Sequence, residues 1–92
     1  MRFEWDPAKA ASNLRKHAVA FTEAATVFGD PFSETFPDPD HSTGEFRYVT
    51  VGLSVAGRLL VVGHTDRGEA VRIITARQAT SHERRYYENE GR

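Results

Sequence analysis

The stretch "FRYVTVGLSVAGRLLVVGHTDRGEAVRIITAR", Phe46 to Arg77, decides the fold. It contains three apolar runs rich in β-branched and aromatic residues, separated by the short links "VAGR" and "DRGE". Such runs, joined by glycine-containing turns, are typical of antiparallel strands connected by hairpins. The stretch therefore predicts three consecutive strands, over residues 46–54, 59–65 and 70–77.

The N-terminal end predicts a strand and a helix. In "RFEW", residues 2–5, apolar and charged residues alternate, as expected of a short strand. Asp6 followed by Pro7 is a strong helix start, because the carboxylate accepts from first-turn amides and proline gives up only an orphan donor. We expect the first helix to be "PAKAASNLRKH", ending at His17.

A second helix follows, and the pair forms a helical hairpin. Thr22 is a candidate cap for a helix running through Phe28, and Gly29 is a natural stop in the left-handed conformation. An extended piece, "PFSETF", and a polar loop, "PDPDHSTGE", lead into the three strands.

The C-terminal element is predicted to be a helix from about Ser81. Thr80 and Glu83 have capping-box spacing. The order of strand, helical hairpin, strands and helix predicts an α+β fold with a largely antiparallel sheet.

Composition is that of an ordinary globular domain. The chain has 92 residues, 39% hydrophobic and 27% charged, with a net charge of -1, and we treat residues 1–92 as one domain. The absence of cysteine excludes disulfides and thiolate zinc sites. The N-terminus lacks an apolar signal core, and "LLVV" is too short to span a bilayer, so we expect a cytoplasmic protein without membrane contact.

Charge is distributed unevenly along the chain. Residues 30–45 contain no lysine or arginine, whereas arginines outnumber acidic residues over residues 71–92. A protein that coats nucleic acid nonspecifically usually has a clear positive excess, which this chain lacks. Any anionic partner would be held by a local patch.

Three segments carry a resemblance to a known family. The segments "FEWDPAKAASNLRKHAVAFTEAATVFGDP", "DPDHSTGEFRY" and "RIITARQATSHERRYYE" resemble the BrnT family of ribonuclease toxins from bacterial type II toxin–antitoxin modules. Two small departures are Ala18, where the family commonly has glycine, and Thr75, where serine is usual.

The resemblance implies a RelE-like fold, a sheet flanked by helices, and RNA cleavage without a metal or other cofactor. It also implies a BrnA-like antitoxin with a ribbon-helix-helix part, which neutralises the toxin and represses their common operon, so that operator DNA is contacted only through the antitoxin. A noncatalytic interaction module that acts as corepressor with a DNA-binding partner is the alternative.

Metal-free RNA cleavage needs an acid–base residue and cations, because the 2′-hydroxyl loses a proton while it attacks a crowded phosphate. His41, on a polar loop, is the first acid–base candidate. Glu45 and Arg47 are expected to share one face of the next strand, with Arg47 at the phosphate and Glu45 orienting it or acting as base. Arg77, at the end of its strand, completes the catalytic candidates.

Further side chains are candidates for RNA binding: Lys16, His17, Arg72, Arg84, Arg85 and Tyr86. Arg72 and Arg77 differ by five positions, so in an unbroken strand they face opposite sides of the sheet and share a site only if the chain bends. Arg72 is alternatively an ion-pair partner of a neighbouring strand. Tyr86 either stacks on a base or, with Tyr87, buries its ring against the sheet.

Two histidine-containing features have simpler interpretations. The loop "DPDH", with Asp38, Asp40 and His41, suggests a metal site, but short acidic loops are commoner than metal sites and we expect none here. His64 shares a face with Leu60 and Val62 and is expected to be a partly buried sheet histidine.

Overall fold

Five strands and three α-helices make up the computed structural model, which describes residues 1–39 and 44–90, with only the backbone of residue 90. In chain order they are β1 (Arg2–Glu4), α1 (Pro7–His17), α2 (Phe21–Thr26), β2 (Glu34–Pro37), β3 (Tyr48–Leu53), β4 (Leu59–Arg67), β5 (Ala70–Gln78) and α3 (Ser81–Glu90). A short 3₁₀ helix, Val27–Gly29, extends α2.

The strands form one sheet in the order β1-β5-β4-β3-β2. The three consecutive strands predicted from the sequence are confirmed, and β2 to β5 pair antiparallel. β1 runs parallel to the start of β5, a long-range pairing that sequence periodicity does not indicate. Gly68 has φ 61° in the tight β4–β5 turn and Gly57 has φ 81° before β4, conformations that favour glycine.

The first helix begins and ends as predicted. Asp6 is the N-cap, and its Oδ1 accepts from the Ala8 N–H at 3.4 Å. Pro7 occupies the first helical position, where the missing N–H costs nothing. At the other end, Ala18 adopts φ 56° and ψ 34°, and its N–H donates to the Leu14 carbonyl at 2.9 Å.

Two details of the second helix were predicted wrongly. Ala20, not Thr22, is the N-cap, and no side-chain cap bond is made. The helix starts earlier because Phe21 is buried in the core, and this burial outweighs the capping preference of threonine. Gly29 is not left-handed. The chain leaves the 3₁₀ helix extended at Asp30, whose carboxylate accepts the N–H groups of Phe32 at 2.9 Å and Leu53 at 2.8 Å.

The hydrophobic core lies on one face of the sheet, which we call the core face. Leu60, Val62, Ile73 and Ala76 of β4 and β5 point to it. They pack against Val19, Phe21, Ala24 and Val27 of the helical hairpin and the 3₁₀ helix. Because strand side chains alternate, the intervening residues of β4 point to the opposite side, which we call the open face.

An asparagine joins α1 to the edge of the sheet. β1 pairs only with Ala70–Arg72, so the rest of that edge of β5 needs other partners. Buried Asn13 supplies them: its Nδ2 donates to the Ala76 carbonyl at 2.8 Å, and its Oδ1 accepts the Ala76 N–H at 3.0 Å. The α1 helix therefore replaces a strand here, and its last turn lies beside the middle of β5.

The last helix is anchored at both ends. The predicted capping box is confirmed: the Glu83 N–H donates to Thr80 Oγ1 at 3.1 Å, and the Thr80 N–H donates to Glu83 Oε1 at 2.9 Å. Tyr87 is buried, and its hydroxyl donates to Asp30 Oδ2 at 2.5 Å. No helix in the described part of the chain is long and apolar enough to cross a membrane.

Candidate active site

A cavity of about 330 Å³ opens on the open face of the sheet and gathers several of the predicted residues. The valines of its floor come from the middle of β3 and β4, and its polar walls from α1, the segment before β3 and the end of β5. It is lined by His17, Asp38, Arg47, Tyr48, Val49, Val61, Gly63, Ile74, Thr75, Ala76 and Arg77. The cavity therefore combines an apolar floor with two arginines and a histidine.

The absence of a side chain at Gly63 leaves room in the cavity floor for the side chain of Thr75. A Cβ at this position would lie 2.6 Å from Thr75 Oγ1, closer than real contacts permit. The pairing of Gly63 with Thr75 therefore keeps a hydroxyl at the base of the cavity.

A bulge in β5 changes which side of the sheet its arginines face. Gly63 pairs with Thr75 while His64 pairs with Ile73, so Ile74 is the extra residue. As a result Arg72 pairs with Thr65 and Arg77 with Val61, positions four apart on β4 and so on the same side. The sequence did not decide whether β5 bends between Arg72 and Arg77. The structure contains such a bend, so the two arginines do not face opposite sides as they would in an unbroken strand.

Arg77 lies at the cavity wall and is held there by Glu83. Its Nη1 and Nη2 donate to the two carboxylate oxygens at 2.8 Å each, and Nη1 also donates to the Gln78 carbonyl at 3.3 Å. Such a bidentate pair fixes the plane of the guanidinium. The Arg77 hydrogen bonds are the main cause that lowers the pKa of Glu83 to about 2, and Glu83 in turn raises the pKa of Arg77.

Arg47 reaches the same cavity from the segment that precedes β3. Because β3 begins at Tyr48, the prediction that Glu45 and Arg47 share a face of a regular strand was wrong. The Arg47 carbonyl accepts the Asp38 N–H at 2.9 Å, which holds the two cavity-lining residues side by side. Glu45 instead lies 3.6 Å from Arg67 Nε, and it does not line the cavity.

The end of α1 supplies the third polar wall. His17 lines the cavity, whereas Lys16 lines a shallower neighbouring one of about 250 Å³ that also includes His17 and Thr75. Asn13 sets this arrangement, since it ties α1 to β5 one turn earlier. His41, with Asp40, lies outside the described residues.

Other candidates lie away from the cavity. Arg72 Nη1 is 3.0 Å from Glu4 Oε2 on β1, which confirms its interpretation as an ion-pair partner of a neighbouring strand. Arg84 lies 3.9 Å from Glu88 on the exposed side of α3, and Arg85 is also exposed. Neither lines the cavity between Arg47 and Arg77.

A second groove adjoins the cavity and has a volume of about 370 Å³. It lies between β2, β3 and α3, and Arg77, Asp38, Val49 and Val61 line both spaces. Its remaining lining is Phe36, Pro37, Val51, His82, Glu83 and Tyr86. The prediction for the two tyrosines holds only for Tyr87, since Tyr86 is 47% exposed.

His64 is the buried sheet histidine that was predicted. It points to the core face, where its Nε2 lies 2.7 Å from Thr50 Oγ1 and its ring lies 4.9 Å from that of Phe28. Burial lowers its pKa, since the charged form loses solvation.

Sequence reasoning missed the floor and the Asp38 wall of this cavity. Asp38 was considered only with the polar loop, Thr75 only as a departure from the family pattern, and Val61 and Gly63 only as members of a predicted strand. One signal was available: once Leu60, Val62 and His64 are placed on the core face, Val61 and Gly63 must face the other side. The Ile74 bulge and the hydrogen bond from the Asp38 N–H to the Arg47 carbonyl have no such local signal.

The fold and the cavity define a small α+β domain with an arginine-rich site on the open face of its sheet. The model of the family "Ribonuclease toxin, BrnT, of type II toxin-antitoxin system" matches residues 5–83. The chain belongs to this family of ribonuclease toxins, as the resemblance suggested.

A solved structure shares the fold. The chain is similar to the Brucella abortus ribonuclease toxin BrnT, known from a 1.1 Å crystal structure, with a TM-score of 0.69 and 23% sequence identity. The similarity covers 88% of this chain and 99% of that one, and it confirms the predicted α+β fold. The search of curated proteins gave no match.

Proposed function

We propose that this chain is an endoribonuclease that cleaves RNA at the cavity lined by Arg47, Arg77 and His17, without a metal. The ribose 2′-hydroxyl attacks the adjacent phosphorus, the bond to the 5′ oxygen breaks, and the products carry a 2′,3′-cyclic phosphate and a 5′-hydroxyl. The observation that carries the proposal is the convergence of two arginines from separate parts of the chain on one cavity. Membership of a ribonuclease toxin family supports it.

Arg77 is assigned to the scissile phosphate. Its bonds to Glu83 and to the Gln78 carbonyl use three of the five guanidinium N–H groups, so the side chain is held in a fixed plane while two N–H groups remain to bind phosphate. Arg47 is assigned to the same phosphate, because it lines the same cavity. Two guanidinium groups would stabilise the extra negative charge that develops during attack.

Proton transfer is assigned to histidine, the side chain best suited to it near neutral pH. His41 remains the first candidate, and His17 is the imidazole that the described cavity contains. Glu45 is a weaker candidate for the base, because its carboxylate lies beside Arg67 and outside the cavity lining. Lys16, Arg72, Arg84 and Arg85 are assigned at most to flanking RNA.

The partner is proposed to be a BrnA-like antitoxin with a ribbon-helix-helix part, which neutralises the toxin and with it represses their operon. Membership of a type II toxin–antitoxin family supports an antitoxin partner. An acidic antitoxin segment would complement the arginines of the open face. We place the complex in the cytoplasm, with operator DNA bound only through the antitoxin.

A noncatalytic corepressor module is the second candidate function. The observation in its favour is the exposure of apolar side chains that do not line the cavity, such as Phe46 at 79% and Val55 at 83%. It predicts tight binding to a partner and no RNA cleavage by the chain alone.

The test is cleavage of a labelled naked RNA by the purified chain in excess chelator, with the product ends identified. Arg47→Ala and Arg77→Ala should each lower the rate by roughly 10²- to 10³-fold, the usual effect of removing a group that stabilises developing charge. His17→Ala and His41→Ala are measured alongside, and loss of a proton-transfer group should cost about 10²- to 10⁴-fold.

The matched control is Arg15→Ala, which removes an exposed arginine of α1 that lines neither the cavity nor the groove. Arg77→Ala is combined with Glu83→Gln so that no unpaired carboxylate remains, and thermal unfolding verifies that each variant is folded. Full activity of the folded arginine variants would refute the assignment of the cavity. Absence of cleavage by the folded wild type, with naked RNA and with translating ribosomes, would favour the corepressor module.

A further inference from the structure

The groove beside the cavity shares part of the cavity's valine floor and adds two aromatic side chains. Its floor consists of Val49, Val51 and Val61, and aromatic rings of Phe36 and Tyr86 stand at its side. Its volume of about 370 Å³ is near the lower end of the roughly 300–1,000 Å³ typical of small-ligand pockets. Asp38, Arg77, His82 and Glu83 also line it, so the groove suits a flat group with polar edges rather than a purely apolar one.

Tyr86 is presented to this groove by a helix that is fixed in place. Tyr87, the next residue, is 4% exposed and its hydroxyl is bonded to Asp30, whereas Tyr86 as a whole residue is 47% exposed. The Tyr86 ring meets Phe36 edge-on, with centroids 5.9 Å apart and planes at 63°. One edge contact leaves a ring face available for a further stacked group.

The same helix also sets the position of the groove relative to Arg77. Glu83 at the start of α3 holds the guanidinium through two bonds of 2.8 Å, and Glu83 and Tyr86 are three residues apart on the same helix, so they lie on one side of it. Arg77 lines both the cavity and the groove. A phosphate on Arg77 would therefore have an apolar, aromatic-sided space directly next to it.

We infer that this groove is a nucleobase subsite, in which the base next to the scissile phosphate stacks on Tyr86 over the valine floor. The inference rests on the proposed function, because it places an RNA phosphate at Arg77. Continuity with the arginine-lined cavity selects a nucleotide over an apolar peptide as the occupant. Base stacking on an aromatic side chain is tolerant of sequence, so the subsite would contribute affinity and positioning more than strict base choice.

The binding experiment uses a short single-stranded RNA, 2′-O-methylated throughout so that no 2′-hydroxyl can attack, with one central 2-aminopurine. Stacking on Tyr86 should quench the fluorescence of this base analogue. Tyr86→Leu should weaken binding on the order of 5- to 150-fold and abolish the quenching, whereas Tyr86→Phe, which keeps the ring, should behave as wild type. Phe46→Leu, which changes an exposed aromatic residue outside the groove, is the matched control.

The kinetic experiment compares RNA substrates that lack one base on either side of the cleaved bond. For the wild type, kcat/KM on one of the two abasic substrates should fall by about as much as Tyr86→Leu lowers kcat/KM on normal RNA. The Tyr86→Leu variant should cleave this abasic substrate and normal RNA with equal kcat/KM.

The two experiments separate the subsite from the proposed function. Cleavage that is indifferent both to base removal and to Tyr86→Leu would overturn the subsite and leave the nuclease standing. Tyr86-dependent quenching without any cleavage by the wild type would support the subsite and remove the nuclease. Failure of the folded wild type to bind the oligonucleotide would overturn the subsite.

Discussion

Replacing Ala18 by glycine should stabilise the protein. Among the described residues Ala18 is the one non-glycine with positive φ, at 56°, and it lies exposed at the end of α1. An L-residue in this conformation costs about 1–2 kcal/mol, because Cβ approaches the following carbonyl. Glycine removes this cost, but its greater backbone freedom stabilises the unfolded state by about 0.4–1 kcal/mol. We therefore expect a net gain of about 1 kcal/mol.

Nothing else at this position should change with the substitution. Ala18 makes two hydrogen bonds through its backbone. Its N–H donates to the Leu14 carbonyl at 2.9 Å, and its carbonyl accepts from Arg58 Nη2 at 3.1 Å. Neither bond involves the side chain of Ala18. For a domain of this size, 1 kcal/mol raises the unfolding temperature by about 4–8 °C. Thermal and urea unfolding of the two proteins measure the gain.

The matched control is Ala11→Gly, in the exposed middle of the same helix. There glycine should lower stability by about 0.5–1 kcal/mol, so the two identical replacements are expected to have opposite signs. If Ala18→Gly lowers the unfolding temperature as Ala11→Gly does, the idea that Ala18 stores backbone strain is wrong.

Two further substitutions test polar contacts that hold the site in place. Asn13→Ala should destabilise the chain by about 2–4 kcal/mol in urea unfolding, because the N–H and carbonyl of Ala76 lose their partner at a buried edge. Glu83→Gln should cost about 1 kcal/mol at pH 7, a value discounted for the partial exposure of its pair with Arg77. In the wild type this contribution is present above about pH 4.5 and is lost as pH falls towards about 2, because the folded-state pKa is the lower one.

Each of these predictions has its own control. Ser12→Ala changes the polar neighbour of Asn13 on α1 and should leave stability nearly unchanged; an equal loss for both variants would dismiss the edge-capping role of Asn13. Glu88→Gln, in an exposed pair with Arg84 at 3.9 Å, should keep the acid response of the wild type. A Glu83→Gln protein that loses stability between pH 4.5 and 2 as steeply as the wild type would show that another group causes the loss.

Features with a local cause were predictable from the sequence. Asp6 and Pro7 start α1, and Thr80 and Glu83 start α3, because each cap forms between groups at most three residues apart. The alternation around Leu60 and Val62 likewise predicted the burial of His64. In these places backbone geometry alone brings the interacting groups together.

The assembly of the cavity depends on contacts that local patterns do not encode. The extra residue Ile74 reverses the alternation of β5, so Arg72 and Arg77 share a side; counting positions could name the bend as a condition but could not predict it. The capping box was predicted at Glu83 and a phosphate ligand at Arg77, yet their mutual pair was not, although six residues separate them. Whether two such side chains meet depends on the angle at which α3 leaves the sheet, and the contact that holds α3 at Tyr87 is made with Asp30, 57 residues earlier in the chain.

The pairing of arginines with carboxylates also explains how a chain of net charge -1 can present a cationic site. Arg67, Arg72 and Arg84 each lie within 4 Å of a glutamate, so for them a phosphate would have to compete with a carboxylate already in place. Arg77 is paired as well, but Glu83 and the Gln78 carbonyl take three of its five N–H groups and hold the guanidinium in one plane, where it lines both the cavity and the groove. Glutamates neutralise Arg67, Arg72 and Arg84, which lie outside the cavity, whereas Arg77 is held in a fixed orientation at the cavity. This arrangement would favour RNA binding at the cavity over nonspecific binding of polyanions.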